Sequence, residues 1–193
     1  MRAIILAVFS LNLIWGAGVA AQAESYPQLV ARLGGVGNFQ GAVEHLLLAK
    51  LNGLRGSKGL SRLAADGNFA RAARAHALDM AQRNYLGHAS STGLDFSGRM
   101  NALQGGQMRY AAMGENAAMM YPISSASAVA ERLFQSWLNS PPHLANMQKP
   151  SFTRVATGVV FLGGKAYADQ IFTGAPLPPQ ASNRCSQSCI SWH

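Results

Sequence analysis

Residues 156–173, ATGVVFLGGKAYADQIFT, have the clearest secondary-structure pattern in the chain. Both halves of the stretch, 156–162 and 165–173, are rich in β-forming residues and partly alternate between apolar and polar positions. The Gly163-Gly164 pair between them is typical of a two-residue hairpin turn. The stretch therefore predicts an antiparallel β-hairpin, around which we place the rest of the fold.

Helical patterns account for most of the chain before this hairpin. Apolar residues recur at helical spacing in residues 42–54, 69–84 and 124–138, and a short helix is expected over roughly 96–103. A third strand is predicted near residues 108–113, followed by a turn that carries Glu115. About four helices and three strands in mixed order predict an α+β domain, with helices covering a small antiparallel sheet.

The first 23 residues have the pattern of a secretory signal peptide. Arg2 precedes an apolar run, and Ala21-Gln22-Ala23 forms an A-x-A cleavage site. Residues 24–40 contain three glycines and little periodicity, so we interpret them as a lead segment before a domain spanning 41–175. We expect an exported protein, secreted or periplasmic, with no transmembrane segment after cleavage.

The C-terminal residues 176–193 predict an extended tail that is rich in proline, serine, asparagine and glutamine. They contain the only two cysteines, Cys185 and Cys189, and export to an oxidising compartment favours a disulfide between them. Two thiols and the terminal His193 are too few ligands for a closed structural metal site.

The charge balance narrows the classes of partner. The formal net charge is +8, with 16 Lys and Arg against eight Asp and Glu, which favours anionic surroundings such as phospholipid head groups or acidic glycopolymers. The basic residues are scattered singly and no nucleic-acid-binding motif accompanies them, so nucleic acid is not an expected partner.

The chain after the signal lacks a nucleophile elbow, a phosphate-binding glycine loop, an H-E-x-x-H helix and a catalytic cysteine signature, which leaves most enzyme classes unsupported.

Three polar residues remain as candidates for a functional site. Glu115 lies in the apolar stretch AAMGENAAMM, residues 111–120, where a buried carboxylate would need a partner. His88 and His143 fall in predicted loops. Two imidazoles and a carboxylate could hold zinc or another divalent cation with an open position for water. They could instead form a hydrogen-bond and ion-pair network that attaches loops to the sheet, which is the interpretation that spacing alone favours.

Several short motifs occur in a characteristic order. They are N-x-x-R-x-x-x-G-L-x-x-L at 52–63, AARAHALDMAQRNYLGH at 72–88, Gly114-Glu115-Asn116, WLNSPPH at 137–143 with Asn146, and the closing hairpin. Together they resemble the CAP superfamily of cysteine-rich secretory, antigen 5 and pathogenesis-related proteins, in its bacterial SCP-like branch. The resemblance implies a three-layer α-β-α sandwich with a central cleft.

The resemblance also implies which residues line that cleft. In many members two histidines and two acids do so and can hold a divalent metal, and His88 and Glu115 match the first histidine and one acid. Ser140 stands where the second acid usually falls, and His143 matches a histidine of bacterial relatives. We therefore expect His88, Glu115 and His143 as candidate ligands of a metal such as zinc, with Asn116, Ser140 and Asn146 as further cleft residues.

Two functions follow from these expectations. The first is a secreted binding module that takes an envelope component, a lipid or a protein through the cleft, which suits the missing catalytic motifs and the family's signalling, lipid-binding and defence roles. The second is a metal-assisted hydrolase, with Glu115 as ligand or general base acting on bound water. Fold resemblance by itself does not choose between them.

Overall fold

The computed structural model describes residues 24–34, 39–106, 109–121 and 124–178. The predicted signal peptide and the Cys185–Cys189 pair lie outside the described residues. The elements, in chain order, are α1 (Tyr26–Leu33), α2 (Gly41–Ser57), β1 (Ala64–Ala65), α3 (Gly67–Arg83), α4 (Phe96–Leu103), β2 (Met113–Met120), α5 (Ala126–Leu138), α6 (Pro141–Met147), β3 (Phe152–Leu162) and β4 (Lys165–Gly174).

One four-stranded sheet organises the fold, with the strand order β1-β3-β4-β2. The predicted hairpin is confirmed as β3 and β4, and both turn residues, Gly163 and Gly164, have positive φ angles of 57° and 72°. This is the conformation that a two-residue hairpin turn requires and that glycine adopts without strain. β2 pairs antiparallel with β4, while the two-residue β1 pairs parallel with β3.

Helices cover both faces of the sheet and bury a separate apolar cluster on each. The first cluster joins α1, α3 and α4 to one face, and the second joins α2, α5 and α6 to the other. The three-layer α+β sandwich is therefore confirmed. The described residues form six helices where the sequence predicts about four, and α1 and α6 are the additional ones. In this part of the chain no helix is both long and apolar enough to cross a bilayer.

Helix α1 lies within the segment expected as a lead-in. Its buried residues Tyr26, Leu29, Val30 and Leu33 follow helical spacing and pack against α3 and α4. The side chain of Gln28 accepts a hydrogen bond of 2.9 Å from the backbone N–H of Ser25, which stabilises the first turn. Because α1 has only eight residues, its apolar periodicity is too short to be recognised in the sequence, and the glycines that follow it indicate a loop instead.

Two local expectations about the site are wrong. Glu115 lies in strand β2, which starts at Met113, and not in a turn, because the G-E-N stretch pairs in register with β4. His143 lies in helix α6 and not in a loop. Pro141 and Pro142 occupy the first turn of that helix, where the missing proline N–H has no intrahelical partner to lose, so they start the helix instead of excluding it.

Close contact between α3 and the sheet depends on one glycine of β3. A Cβ atom at Gly158 would lie 2.3 Å from the backbone nitrogen of Arg74 and 2.4 Å from the carbonyl carbon of Ala73. Hence the backbone of α3 lies directly on the sheet at this point. This contact holds α3, and with it the loop that follows α3, in a fixed position over the strands.

Candidate functional site

The loop that carries His88 follows α3 and is attached to it by buried polar residues. Asp79 accepts hydrogen bonds from the Tyr85 hydroxyl at 2.7 Å, and from the backbone N–H and hydroxyl of Ser91 at 2.8 and 2.6 Å. Burial would raise the pKa of Asp79, but these hydrogen bonds hold it below its ordinary value. His76 adds a contact of 2.9 Å from Nε2 to the carbonyl oxygen of Gly87. The loop is therefore fixed at both ends.

Arg99 of α4 is the central connection of the site. Its guanidinium is fully buried between the rings of Tyr26 and Phe96, whose centroids lie 5.4 and 5.6 Å away. It donates from Nε to the carbonyl oxygen of His88 and from Nη1 to the Tyr26 hydroxyl, both at 3.0 Å, and from Nη2 to Oε1 of Glu115. Burial opposes its charge, but Glu115 and its other neighbours raise the pKa of Arg99, so it is a permanent cation.

Glu115 projects from β2 and links Arg99 to His88. Its Oε1 accepts from Arg99, and its Oε2 lies 2.7 Å from Nδ1 of His88. Burial opposes ionisation of Glu115, but hydrogen bonds and charge from His88 and Arg99 lower its pKa. The hydrogen bond from Glu115 in turn raises the pKa of His88, whose side chain is 53% exposed. His88 is thus oriented by Glu115 and favoured in its protonated state.

Two more buried titratable groups lie close to this ion pair. Asp169 of β4 is fully buried, and burial together with the negative charge of Glu115 raises its pKa well above the ordinary value. His76 is also fully buried, and burial together with the charge of Arg99 lowers its pKa to about 4. Beneath the loop, the groups whose charged form the surroundings favour are therefore Arg99, Glu115 and Asp79.

The other predicted site residues lie mainly on the opposite face of the sheet. Asn146 donates to the carbonyl oxygen of Glu115 at 3.0 Å and to Oδ1 of Asn116 at 2.9 Å, and Asn116 donates to the carbonyl oxygen of His143 at 3.2 Å. Ser140 is the residue before α6, and its side chain makes no capping hydrogen bond. These contacts attach α6 to β2. Asn116 and Asn146 therefore act as structural links.

His143 is near His88 but makes no bond to it. Burial lowers the pKa of His143, and the positive charge of His88 lowers it further, which places the two rings within electrostatic reach of each other. The structure thus brings together His88 and Glu115 by a direct hydrogen bond, with His143 close by on α6.

The three predicted metal ligands do not fit a three-ligand zinc site as they are arranged. Both carboxylate oxygens of Glu115 are occupied, one by a permanent cation that would repel a metal ion. The Nδ1 atom of His88 is occupied as well. Across the described ranges, no group of three or more His, Cys, Asp or Glu side chains is arranged to hold a metal. Metal binding stays a prediction, and if it occurs Glu115 is suited to orient His88 rather than to act as a ligand.

An open groove runs along the loop after α3, past the exposed side of His88. It has a volume of about 530 Å³ and is lined by Arg83, Tyr85, Leu86, Gly87, His88, Ala89, Ser90 and Ser91. No carboxylate is among these residues. Asp79 lies behind this lining, with Oδ1 3.4 Å from Nε of Arg83. The groove therefore presents His88 and the paired Arg83 beside apolar and hydroxyl-bearing side chains.

Sequence reasoning missed Arg99, Asp169, Asp79 and Tyr26. The sequence does not indicate that Arg99 is buried at the site, because a single arginine in an eight-residue helix gives the same pattern whether it faces solvent or the core. The sequence does mark Asp169 as a candidate, because it lies between Tyr167 and Ile171 on the inward face of a predicted strand, where an acid is unusual.

The hydrogen bond between Glu115 and His88 predicts a pH dependence. Because the folded-state pKa of His88 is raised, its contribution to stability is fully present below about pH 6.5 and is lost as the pH rises through the folded-state pKa. In an imidazole titration followed by NMR, we expect His88 to titrate above pH 6.5 and Glu115→Gln to lower that midpoint. An unchanged midpoint in Glu115→Gln would show that the contact does not hold the charge.

Comparison with known proteins supports the same assignment of fold and family. Residues 48–175 match the family model described as the cysteine-rich secretory protein family, CAP. Over 122 residues the chain is 29% identical to the uncharacterized protein YkwD of Bacillus subtilis (strain 168), covering 63% of this chain and 44% of that protein.

Two solved structures are also similar. An extracellular protein containing an SCP domain from Bacillus anthracis str. Ames superposes with a TM-score of 0.55 at 27% identity, covering 70% of this chain and 41% of that one. An outer surface protein from Borrelia burgdorferi gives a TM-score of 0.59 at 16% identity, covering 72% and 98%, and shows the fold alone. The chain spans less than half the length of the two Bacillus proteins.

Proposed function

The chain belongs to the cysteine-rich secretory protein (CAP) family, and on that premise we propose that it is an exported binding module whose groove beside His88 takes an anionic component of the cell envelope. Export is supported by the signal-peptide pattern of residues 1–23 and by the similarity to an extracellular protein that contains an SCP domain. A membrane lipid or an acidic glycopolymer would supply the negative charge.

The observation that carries the proposal is the state of His88. Glu115 fixes one side of its imidazole and favours the protonated form, while the ring stands half-exposed on the wall of a groove without a carboxylate. Arg83 lines the same groove, and its side chain is 62% exposed although its Nε lies 3.4 Å from Oδ1 of Asp79. A phosphate or carboxylate group on a ligand could therefore receive charge-assisted hydrogen bonds from residues that are already oriented.

The competing proposal, metal-assisted hydrolysis, has less support. A general base needs a free acceptor atom within reach of the water it activates. Both oxygens of Glu115 are already engaged, by His88 and by Arg99, and the low pKa of Glu115 makes it a weak base. We therefore assign Glu115 the role of a positioning residue for His88.

A thermal-shift experiment tests the proposal with dihexanoylphosphatidylglycerol below its micelle concentration. At a tenfold excess over Kd, bound ligand contributes about 1.4 kcal/mol, which corresponds to a rise in Tm of about 3–6 °C for a domain of this size. We expect His88→Ala to remove this rise, measured against the Tm of the unliganded variant.

Two controls make the result specific. His45 is an exposed histidine on α2 outside the groove, so His45→Ala should keep the full shift. The neutral dihexanoylphosphatidylcholine should give a clearly smaller shift than the anionic lipid. Equal shifts with both lipids, or a full shift in His88→Ala, would contradict the proposed role of His88.

A further inference from the structure

Exposed apolar side chains are concentrated at one end of the sheet. Among the described residues, the large hydrophobic side chains that are exposed are Leu86, Tyr121, Leu162 and Leu177, at 51%, 63%, 43% and 46%. Leu177 lies beyond the C-terminal end of β4, bonded through its N–H to the carbonyl oxygen of Arg109. The other three lie toward the opposite end, where β3 turns into β4.

Strand register and one hydrogen-bonded asparagine place those three residues. Leu162 is the last residue of β3 and pairs with Lys165 across the turn. Tyr121 directly follows Met120, the last residue of β2, which pairs with Ala166.

The end of α3 is attached at the same place. Asn84, which ends α3, accepts hydrogen bonds from Nζ of Lys165 at 2.7 Å and from the hydroxyl of Tyr167 at 3.1 Å. Leu86 follows two residues later. We call Leu86, Tyr121 and Leu162, together with Arg83 and Lys165, the hairpin-end patch.

The charge of the hairpin-end patch is positive. Arg83 lies in the last turn of α3 with its side chain 62% exposed, and Lys165 stands in the turn region of the hairpin. Residues 80–94, 116–121, 124–130 and 159–168 at this end of the domain contain no Asp or Glu. Glu44 of α2 also reaches this end, where it accepts a hydrogen bond of 3.1 Å from the backbone N–H of Val159, and it is paired with Arg74. Two acids act on Arg83: Asp79, whose buried Oδ1 lies 3.4 Å from Nε of Arg83, and Glu24, whose carboxylate is bonded to Arg32 at 2.7 and 2.8 Å.

We propose that the hairpin-end patch docks the domain on an anionic phospholipid bilayer, with the apolar side chains entering the interface and the cations facing lipid phosphates. Exposed leucine and tyrosine side chains beside Lys and Arg are the combination that binds such interfaces. A bilayer, unlike a protein ligand, needs no preformed pocket, and the three apolar side chains come from three separate parts of the chain, the loop after α3, the residue after β2 and the end of β3.

The docking surface is continuous with the groove beside His88. Leu86 and Arg83 belong to both, so a domain docked through the patch would bring the groove to the lipid head groups. The inference rests on the proposed function in so far as both assign an anionic lipid as the ligand, and it adds the surface through which the lipid is reached.

Vesicle flotation tests this surface, with the exported chain, residues 24–193, and vesicles of equal parts phosphatidylcholine and phosphatidylglycerol. We expect the double variant Tyr121→Ser/Leu162→Ser to bind about tenfold more weakly than the wild type, since two apolar side chains no longer enter the interface. Leu177→Ser is the matched control, with a comparably exposed leucine at the opposite end, and should bind like the wild type. Pure phosphatidylcholine vesicles should bind clearly less of every variant.

Three results would overturn the inference: no flotation of the wild type, equal flotation of the double variant and the wild type, or an equal loss in Leu177→Ser. Without flotation, a protein would become the better candidate for the patch. The flotation result can be distinguished from the result of the thermal-shift test of the groove. The double variant keeps His88, so its thermal shift with dihexanoylphosphatidylglycerol should persist even if flotation is lost, whereas loss of that shift in the wild type would count against the groove alone.

Discussion

Replacing Arg99 by methionine should lower the free energy of unfolding by about 3–5 kcal/mol, the cost typical of breaking a buried ion pair by removing one partner. The variant would leave the buried carboxylate of Glu115 without its cation. It would also remove hydrogen bonds to the carbonyl oxygen of His88 and to the Tyr26 hydroxyl, which join α1, α4 and the groove loop. Urea unfolding followed by tryptophan fluorescence measures the change as a shift in the midpoint at constant slope.

Two companion variants show whether the loss comes from the buried charge. Arg154→Met removes an exposed arginine with one long hydrogen bond, 3.3 Å to the carbonyl oxygen of Ala65, and should change stability by no more than about 0.5 kcal/mol. Adding Glu115→Gln to Arg99→Met should recover part of the loss, because the double variant no longer buries an unpaired charge. If Arg99→Met lowered the free energy of unfolding by less than about 1 kcal/mol, the buried ion pair of Arg99 and Glu115 would not be the main link that holds the site together.

Replacing Gly158 by alanine should destabilise the domain by about 3 kcal/mol, at the upper end of the usual cost of overpacking a core. The added methyl group would overlap backbone atoms of Ala73 and Arg74, at 2.3–2.6 Å, and a helix backbone cannot move aside as a flexible side chain can. Relief would require α3 to move away from β3. The same urea experiment measures the loss.

Gly53→Ala is the matched control for that substitution. Gly53 lies inside α2, and a Cβ atom there would meet nothing within 4 Å. Alanine at this position should stabilise the domain by about 0.5–1 kcal/mol, because glycine is the poorer helix former. A Gly158→Ala variant as stable as the wild type would mean that α3 does not lie directly on the sheet at this point.

The sequence predicts most of the fold because the determining patterns are local. The β3–β4 hairpin follows from partial alternation around two glycines, and the long helices from apolar stripes of three or more turns. Helices α1 and α6 were missed because seven or eight residues give too few turns of periodicity. Pro141 and Pro142, which follow α5 closely, form the first turn of α6, and prolines after a helical pattern do not by themselves indicate a new helix.

The site was only partly predictable, because its contacts join distant segments. Motif resemblance singled out His88 and Glu115, and the structure joins them by a hydrogen bond of 2.7 Å. Nothing in the sequence indicated that Arg99 would occupy the second oxygen of Glu115, which is the contact that argues against a metal-ligand role. Long-range partners of this kind depend on how α4 packs, and no local pattern encodes that packing.

The most direct test of the binding proposal is the location of the ligand on the domain. In amide spectra of the ¹⁵N-labelled chain, residues 24–193, added dihexanoylphosphatidylglycerol should shift the resonances of the groove residues 83–91 most strongly, and His88→Ala should abolish those shifts. Shifts confined to another surface, such as the cavity formed by Phe69, Arg71 and Tyr110, or shifts unchanged in His88→Ala, would contradict the assignment of the groove as the binding site.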